Sequence, residues 1–210
     1  LALGSIIKGV RRILSKERDY DLIEDSDIID ETNDKQLDIA HEILWPFYEV
    51  VRSASTVAYQ RAYAVDDNVV IGKPHTVTVD SQPLAKIDQD RMNMFNWDTA
   101  TTGDASHALV WNNEINLYPL PTSAADTDAL NGAITAPATS ITLDSTSGFR
   151  APGRALIESE VISYESTSST VLRGVRRGLE GTTAATHADD IAITERDIVY
   201  TGSQEPTSLV

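Results

Sequence analysis

The stretch from Ile134 to Asp190 decides how the second half of this chain folds. It begins ITAPATSITLDSTSGFRAPGRALIESEVISY (residues 134–164) and, after a short polar link, continues TVLRGVRRGLEGTTAATHADD (residues 170–190). Its apolar runs are short, rich in β-branched residues and bounded by Gly, Pro, Ser and Asp. Four of these runs lie within the stretch and a fifth follows it directly. They are Ser140–Leu143, Ala155–Ile157, Val161–Tyr164, Thr170–Leu172 and Ile191–Ile193. This pattern is typical of short strands in a small all-β unit.

Two places in the stretch carry turn signals. Gly148 and Gly153 flank the step Ala151-Pro152, which predicts that the chain turns there. Glu158-Ser159-Glu160 separates two apolar runs and is predicted to be the polar tip of a hairpin.

The same stretch resembles a small β-domain found repeatedly in structural proteins of tailed bacteriophages. The resemblance rests on the motifs LNGAITA (Leu130–Ala136), SITLDSTSGF (Ser140–Phe149), G-x-x-L-I-x-x-E-x-I-x-Y (Gly153–Tyr164) and R-G-x-x-G-T-T-A-A-T-H-A (Arg177–Ala188). The last motif is the most specific. The chain departs from the usual pattern at Ser159, where that domain commonly has Gly, and this bears only on the turn type.

The first half of the chain opens with two predicted helices. Residues 2–18 carry apolar side chains at three- and four-residue spacing with basic residues on the other faces. A second helix is predicted to begin near Ser26, a good N-cap, and to end before Pro46.

Strands are predicted after Pro46, where the hydrophobic period changes. The run from Phe47 to Tyr59 is rich in β-formers, although its segment Arg52–Ser55 is also compatible with a continued helix. Asp88 is predicted to cap a short helix near residues 88–95, and Asn112-Asn113 to turn a hairpin. The other predicted strands are Tyr63–Val65, Val69–Ile71, His75–Val79, Leu84–Ile87, Ala108–Trp111 and Glu114–Pro119.

This order of elements resembles the head-to-tail adaptor (connector) proteins of tailed phages over roughly residues 20–125. The matching segments are Ile28–Ile43, Val77–Ile87 and Trp111–Pro121. The resemblance implies a non-enzymatic virion protein of the head–tail neck, made in the host cytoplasm. It implies a ring, typically a dodecamer, that binds the portal protein on one side and tail or stopper/nozzle proteins on the other. Genomic DNA would pass through the ring without sequence-specific binding.

The sequence therefore predicts an α+β fold, with N-terminal α-helices packed with a small antiparallel β region and a separate small all-β domain. The expected domains are an adaptor core over residues 1–128, the all-β domain over 129–193, and a closing strand with a C-terminal tail over 194–210. Two arrangements are compatible with the tail strand at Asp197–Gly202. In the first, the strand closes the core sheet, and residues 129–193 are then an insertion. In the second, it forms a loose tail after a C-terminal β-domain.

Composition narrows the class of protein. Cysteine is absent, which excludes disulfides and thiolate ligands and suits synthesis in a reducing cytosol. No apolar run approaches the length that spans a bilayer, so no membrane partner is expected. The formal charge of −15 argues against general nucleic-acid binding, because affinity for DNA comes largely from phosphate neutralisation.

The charge is unevenly distributed, and this suggests an interface. Residues 1–18 are basic and residues 19–42 carry ten acids against Lys35, a pattern that fits either head-to-tail docking between copies or two solvated helix faces. Arginines within the β-domain are either solvent-facing or dock on the acidic 19–42 region of another copy. The candidate interface residues are Lys8, Arg11, Arg12, Asp27, Asp30, Glu31, Arg150, Arg154, Arg176 and Arg177.

No motif predicts catalytic, cofactor-binding or metal-ligating residues. His41, His75, His107 and His187 show no convincing zinc spacing, and Asp66-Asp67-Asn68 lacks the twelve-residue calcium loop. The glycines at 174, 178 and 181 lack the lysine of a phosphate loop. Two alternatives to the adaptor stay open: a tail or capsid decoration protein that binds host-surface glycan through its β-domain, and a small glycan hydrolase with an unidentified carboxylate pair.

Overall fold

The fold is seen in a computed structural model of the 210-residue chain. The structure describes residues 7–8, 24–42, 48–67, 69, 71–92 and 101–204. Among these residues, no helix combines the length and apolar character needed to cross a bilayer.

Two helices are present in the described residues, α1 (Asp25–Glu42) and α2 (Gln89–Met92). The second predicted helix is confirmed as α1, but its cap lies earlier than Ser26. Helix α1 begins at Asp25, and the backbone N–H of Glu24 donates to Asp27 Oδ2 at 2.9 Å, which is half of a capping box. The predicted cap of α2 is confirmed, since Arg91 N donates to Asp88 Oδ1 at 2.8 Å. The helix predicted over residues 2–18 lies outside the described residues except for Ile7 and Lys8, which are helical.

Sixteen strands are present in the described residues. Those of the first half are β1 (Glu49–Ala54), β2 (Ala62–Ala64), β3 (Ile71–Val79), β4 (Gln82–Pro83), β5 (Ala85–Ile87), β6 (His107–Trp111) and β7 (Glu114–Tyr118). Those of the second half are β8 (Thr127–Ala129), β9 (Ser140–Thr142), β10 (Gly153–Ile157), β11 (Glu160–Tyr164), β12 (Ser166–Thr167), β13 (Val171–Arg173), β14 (Arg176–Leu179), β15 (Ala192–Glu195) and β16 (Ile198–Ser203).

Two four-stranded sheets form the first body, with strand orders β1-β16-β3-β4 and β2-β7-β6-β5. The predicted Asn112-Asn113 turn is confirmed: both residues have positive φ, and β6 and β7 pair antiparallel on either side of it. One apolar cluster joins the sheets, with Val77, Ile198 and Tyr200 from the first and Ile115 and Leu117 from the second. We call this body the core block.

Strand β16 lies inside the first sheet, antiparallel to both β1 and β3. The chain thus leaves the core block after β7 and returns to it with its last strand. The residues between, Thr127–Glu195, fold as a second body that we call the inserted unit.

The inserted unit has its own sheets and its own core. Its strand orders are β14-β11-β10-β15-β8 and β12-β13-β9. Its largest fully buried side chains are Leu130, Ile141, Leu143, Ile157, Ile162, Tyr164, Leu172 and Ile193. The five apolar runs predicted as strands each contribute to β9, β10, β11, β13 or β15.

The predicted fold class is wrong. The described part of the chain is mainly β, with 44% strand against 13% helix, rather than a helical N-terminal region packed with a small β region. The physical reason is that the two sheets of the core block bury each other. Of the α1 side chains described, Ile28 alone is buried, so the helix adds little to the core.

Candidate functional site

The inserted unit meets the core block along a polar seam. Ser55 Oγ donates to Glu195 O at 2.6 Å. The residues that flank the inserted unit bind Thr56: Ala125 N donates to Thr56 O at 3.0 Å, and Thr56 N donates to Asp197 Oδ1 at 2.7 Å. A cleft of about 400 Å³, which we call the seam cleft, opens here. Its lining includes Thr78, Asp80, Arg150, Tyr164, Glu195 and Arg196.

Glu195 is the most perturbed carboxyl of the seam cleft. It is 4% exposed, and its Oε1 accepts the Arg150 N–H at 2.8 Å and the Tyr164 hydroxyl at 3.2 Å. Burial raises the pKa of Glu195 to about 7, and the neighbouring charges of Asp197 and Asp80 act in the same direction. A carboxyl in this state, beside a cleft, has the properties of a proton donor or of a pH-dependent structural contact.

Asp80 sits across the seam cleft from the inserted unit. It has a positive φ of 53°, and its carboxylate pairs with Arg150 Nη2 at 3.2 Å. Burial raises the pKa of Asp80, although Arg150 opposes the change. The Asp80–Arg150 pair therefore places opposite charges from the two bodies in contact.

Glu180, which follows β14, is the strongest link between the two bodies. Its carboxylate accepts Ser53 N at 3.1 Å and Ser53 Oγ at 2.6 Å from β1 of the core block. It also pairs with Arg154 Nη1 at 2.7 Å and lies 3.9 Å from Arg196 Nη2. Its side chain is 6% exposed, so these donors replace water around a buried charge.

Glu160 forms a second buried hub, inside the inserted unit. Arg177 binds both of its oxygens at 2.6 Å, and the backbone N–H groups of Gly178 and Ala185 each donate to it at 3.0 Å. His187 Nε2 lies 2.9 Å from Glu160 Oε2. Burial alone would raise the pKa of Glu160, but these hydrogen bonds outweigh it and lower the pKa to about 2.

His187 is bracketed by two carboxylates. Its Nδ1 lies 2.6 Å from Glu158 Oε2, opposite the contact with Glu160, and its side chain is 2% exposed. The two contacts link His187 to Glu158 in the turn after β10 and to Glu160 at the start of β11. The motif Arg177–Ala188 thus works as an internal clamp that holds the segment after β14 onto β11.

The structure divides the predicted interface residues of the inserted unit into two pairs. Arg150 and Arg176 have side chains that are 55% and 75% exposed. Arg154 is bound to Glu180 and is 20% exposed, and Arg177 is 5% exposed in the Glu160 hub. Burial argues against the docking role for Arg177 and weakens it for Arg154, because neither side chain offers a partner much area.

The remaining predicted interface residues lie in the N-terminal part. Asp27, Asp30 and Glu31 are exposed on α1, and Lys8 is exposed. Arg11 and Arg12 lie outside the described residues. The docking role of these acids and of Lys8 stays a prediction.

The described residues contain no group of three or more His, Asp or Glu side chains able to hold a metal ion. His75 contacts Ser203 Oγ at 3.1 Å and His107 contacts Ser106 Oγ at 2.8 Å, while the side chain of His41 is outside the described part.

Three buried carboxylates, Glu160, Glu180 and Glu195, were not predicted from the sequence. The predicted hairpin is confirmed, because β10 and β11 pair antiparallel and Glu160 opposes Ile157 beside the turn. Its polarity did not reveal that Glu160 is 1% exposed at the start of β11. The signal was present, because strand alternation places Glu160 on the same face as Ile162 and Tyr164. Glu195 likewise shares a face with Ile193 in β15. Nothing in the sequence marks Glu180.

Comparisons of the chain with protein-family models, with curated proteins and with solved structures give no match. The resemblance to phage adaptor proteins therefore stays a prediction.

Proposed function

We propose that this protein is a non-enzymatic structural component of a tailed-phage virion, an adaptor that joins the portal to the tail in the head–tail neck. It assembles as a ring, a dodecamer, and forms part of the channel through which the genome passes. Its partners are the portal protein, tail or stopper/nozzle proteins, and further copies of itself.

The observation that carries this proposal is the buried polar seam between the two bodies. Glu180 binds Ser53 of the core block and Arg154 of the inserted unit at the same time, and Asp197 fixes Thr56 beside it. Buried ionic contacts with matched donors hold one geometry, because breaking them leaves a charge without compensation. A subunit that transmits load between portal and tail needs such a fixed relation between its parts.

The order of elements in the core block also supports the proposal. Helix α1, the β3–β4 hairpin, α2 and the β6–β7 hairpin occur in the order on which the adaptor resemblance rests. The chain returns to the core block with β16, so the inserted unit hangs from a complete core rather than from a chain end.

The charge balance fits a conduit. The chain has a formal charge of −15, and an acidic channel wall repels phosphate and lets DNA slide, whereas a basic wall would hold it.

The glycan-binding alternative has less support. A carbohydrate platform needs aromatic rings that lie together. In the part of the chain that the structure describes, the exposed aromatic side chains Trp111 and Tyr59 lie at opposite ends of the second sheet. Trp111 pairs with Glu114 at the start of β7, while Tyr59 N donates to Pro121 O beyond the end of that strand. For the hydrolase alternative, Glu195 has the raised pKa of a catalytic acid, but this carboxyl is 4% exposed and is held by Arg150 and Tyr164.

Co-migration with the portal tests the proposal. The protein is mixed with the portal protein encoded in the same genome, and the mixture is separated on a density gradient. Native mass spectrometry then measures the masses of the complexes in each fraction. The expected result is a complex whose mass corresponds to a full ring of this chain on one portal. A portal that migrates without it at micromolar concentrations contradicts the adaptor function.

A further inference from the structure

The outward face of α1 is a stripe of carboxylates. Asp27, Glu31, Asp34 and Asp38 are all exposed, and their spacing of four, three and four residues puts them on one side of the helix over about 16 Å. Like charges four residues apart on a helix repel one another. A cationic surface laid against this stripe would therefore stabilise the helix.

Lys35 cannot supply that surface alone. It is the single cation among the described side chains of α1, and it already pairs with Asp38 at 3.1 Å and lies 3.9 Å from Glu31. Asp25 and Asp30, also exposed, add to the negative charge of the helix.

The inserted unit presents exposed arginines. Arg150, Arg173 and Arg176 are exposed, and both Arg150 and Arg176 line the seam cleft. Arg150 pairs with Asp80, and Arg176 lies 3.7 Å from Glu165, yet both side chains keep more than half of their surface open. We call these two residues, together with the exposed Arg173 three positions before Arg176 in the chain, the arginine rim.

Within the part of the chain that the structure describes, no ion pair joins α1 to the arginine rim. Every copy carries both surfaces, and surfaces of opposite sign on one chain favour head-to-tail contacts, which close into a ring when the rotation between copies allows it. We propose that the carboxylate stripe of α1 in one copy docks on the arginine rim of the next copy. This contact rests on the proposed function, because it is a seam of the ring described above.

Two charge-reversal variants test the contact. The rim variant carries Arg173→Glu and Arg176→Glu, and the helix variant carries Asp30→Lys and Asp34→Lys. The substitutions avoid Asp27, which caps α1, and also the partners of Lys35 and the Arg150 pair across the seam. The one described ion pair that they break is the exposed pair of Arg176 with Glu165. Arg91→Glu, an exposed reversal in α2, is the matched control, and circular dichroism with thermal unfolding shows whether each variant folds.

The readout is the fraction of portal particles that carry a complete ring. Each variant alone brings like charges together in the contact, so we expect that fraction to fall about tenfold or more, with no change for the control. An equal mixture of the two variants makes every contact complementary again if they alternate around the ring. The mixture should therefore restore ring formation that neither variant shows alone.

The other outcomes separate the two proposals. Wild-type protein that never decorates the portal overturns both the adaptor function and this contact. If the wild-type protein forms rings on the portal and both variants form them on an equal fraction of portal particles, the adaptor function stands but the proposed contact is overturned. The contact is also overturned if the mixture stays unassembled, or if helix-variant rings form normally and retain DNA, which would place the carboxylates on the channel wall.

Discussion

Glu180 Oε1 accepts a hydrogen bond from Ser53 Oγ, with 2.6 Å between the two oxygens, although the two residues are 127 positions apart in the chain. Ser53 belongs to β1 of the core block, whereas Glu180 follows β14 of the inserted unit. The same carboxylate binds Arg154 at 2.7 Å, so one buried charge fastens the two bodies of the protein.

Replacing Glu180 should loosen this fastening. Glu180→Ala leaves Arg154 and Ser53 N without their acceptor in a site that is 6% exposed, and we expect it to lower the free energy of unfolding by about 3 kcal/mol. Chemical denaturation measures the loss. Glu165→Ala is the matched control, because Glu165 lies 3.7 Å from Arg176 with both side chains at least 70% exposed, and such pairs contribute about 1 kcal/mol or less. Equal effects of the two substitutions would show that the Glu180 contacts are not what joins the bodies.

Low pH should remove the stability that the contacts of Glu160 contribute. The folded-state pKa of Glu160 is about 2, below its ordinary value of 4.5, so the stability it contributes is present above pH 4.5 and is lost as the pH falls towards 2. That loss amounts to about 3 kcal/mol. Glu160→Gln should remove this part of the pH dependence and lower the free energy of unfolding at pH 7, which denaturation at a series of pH values measures. A variant that keeps the wild-type acid dependence would assign the loss to other groups.

Glu195 should act in the opposite sense. Its folded-state pKa of about 7 lies above the ordinary 4.5, so its contribution is present below pH 4.5 and is lost as the pH rises through 7. Between pH 4.5 and 8.5 we expect a loss of about 3 kcal/mol, because the ionised carboxylate is poorly solvated beside Asp197 and Asp80. Glu195→Gln keeps an oxygen acceptor for Arg150 N and Tyr164, and its stability should not fall over this range. A parallel decline of wild type and variant would contradict the assignment.

The close approach at Gly153 gives a prediction that does not depend on charge. A Cβ at this position would overlap the Arg150 carbonyl oxygen and the Tyr164 phenol. The carbonyl is backbone and cannot rotate away, so Gly153→Ala should destabilise the protein by about 2 kcal/mol or more. Gly181→Ala meets open space, although its φ of +84° favours glycine, and about 1 kcal/mol is expected. Thermal unfolding of the two variants compares these costs directly, and a milder effect at Gly153 than at Gly181 would show that the backbone of the inserted unit can shift around residue 153.

Local patterns predicted the strands of this protein better than they predicted its fold class. Short runs such as Val161–Tyr164 and turn pairs such as Asn112-Asn113 encode their own conformation, and both occur as predicted. The fold class failed because it depends on which surfaces bury each other. The amphipathic pattern of α1 correctly predicts a helix, but it does not reveal that the two sheets fill the core and leave the helix at its edge.

The candidate site was largely invisible in the sequence for a related reason. The partners of Glu180 come from β1, β10 and the link before β16, and no local pattern records a contact over such distances in the chain. The arginines illustrate the same limit. Arg176 and Arg177 are neighbours in the sequence, yet one is 75% exposed and the other 5%, because adjacent residues of a strand face opposite sides of the sheet.

The measurement that tests the adaptor account most directly is negative-stain imaging of this protein with the portal from the same genome, with each component alone as a control. The account predicts a second ring stacked coaxially on the portal and absent from both controls. Portal particles that remain bare at micromolar concentrations of the protein, with the portal intact, would contradict it.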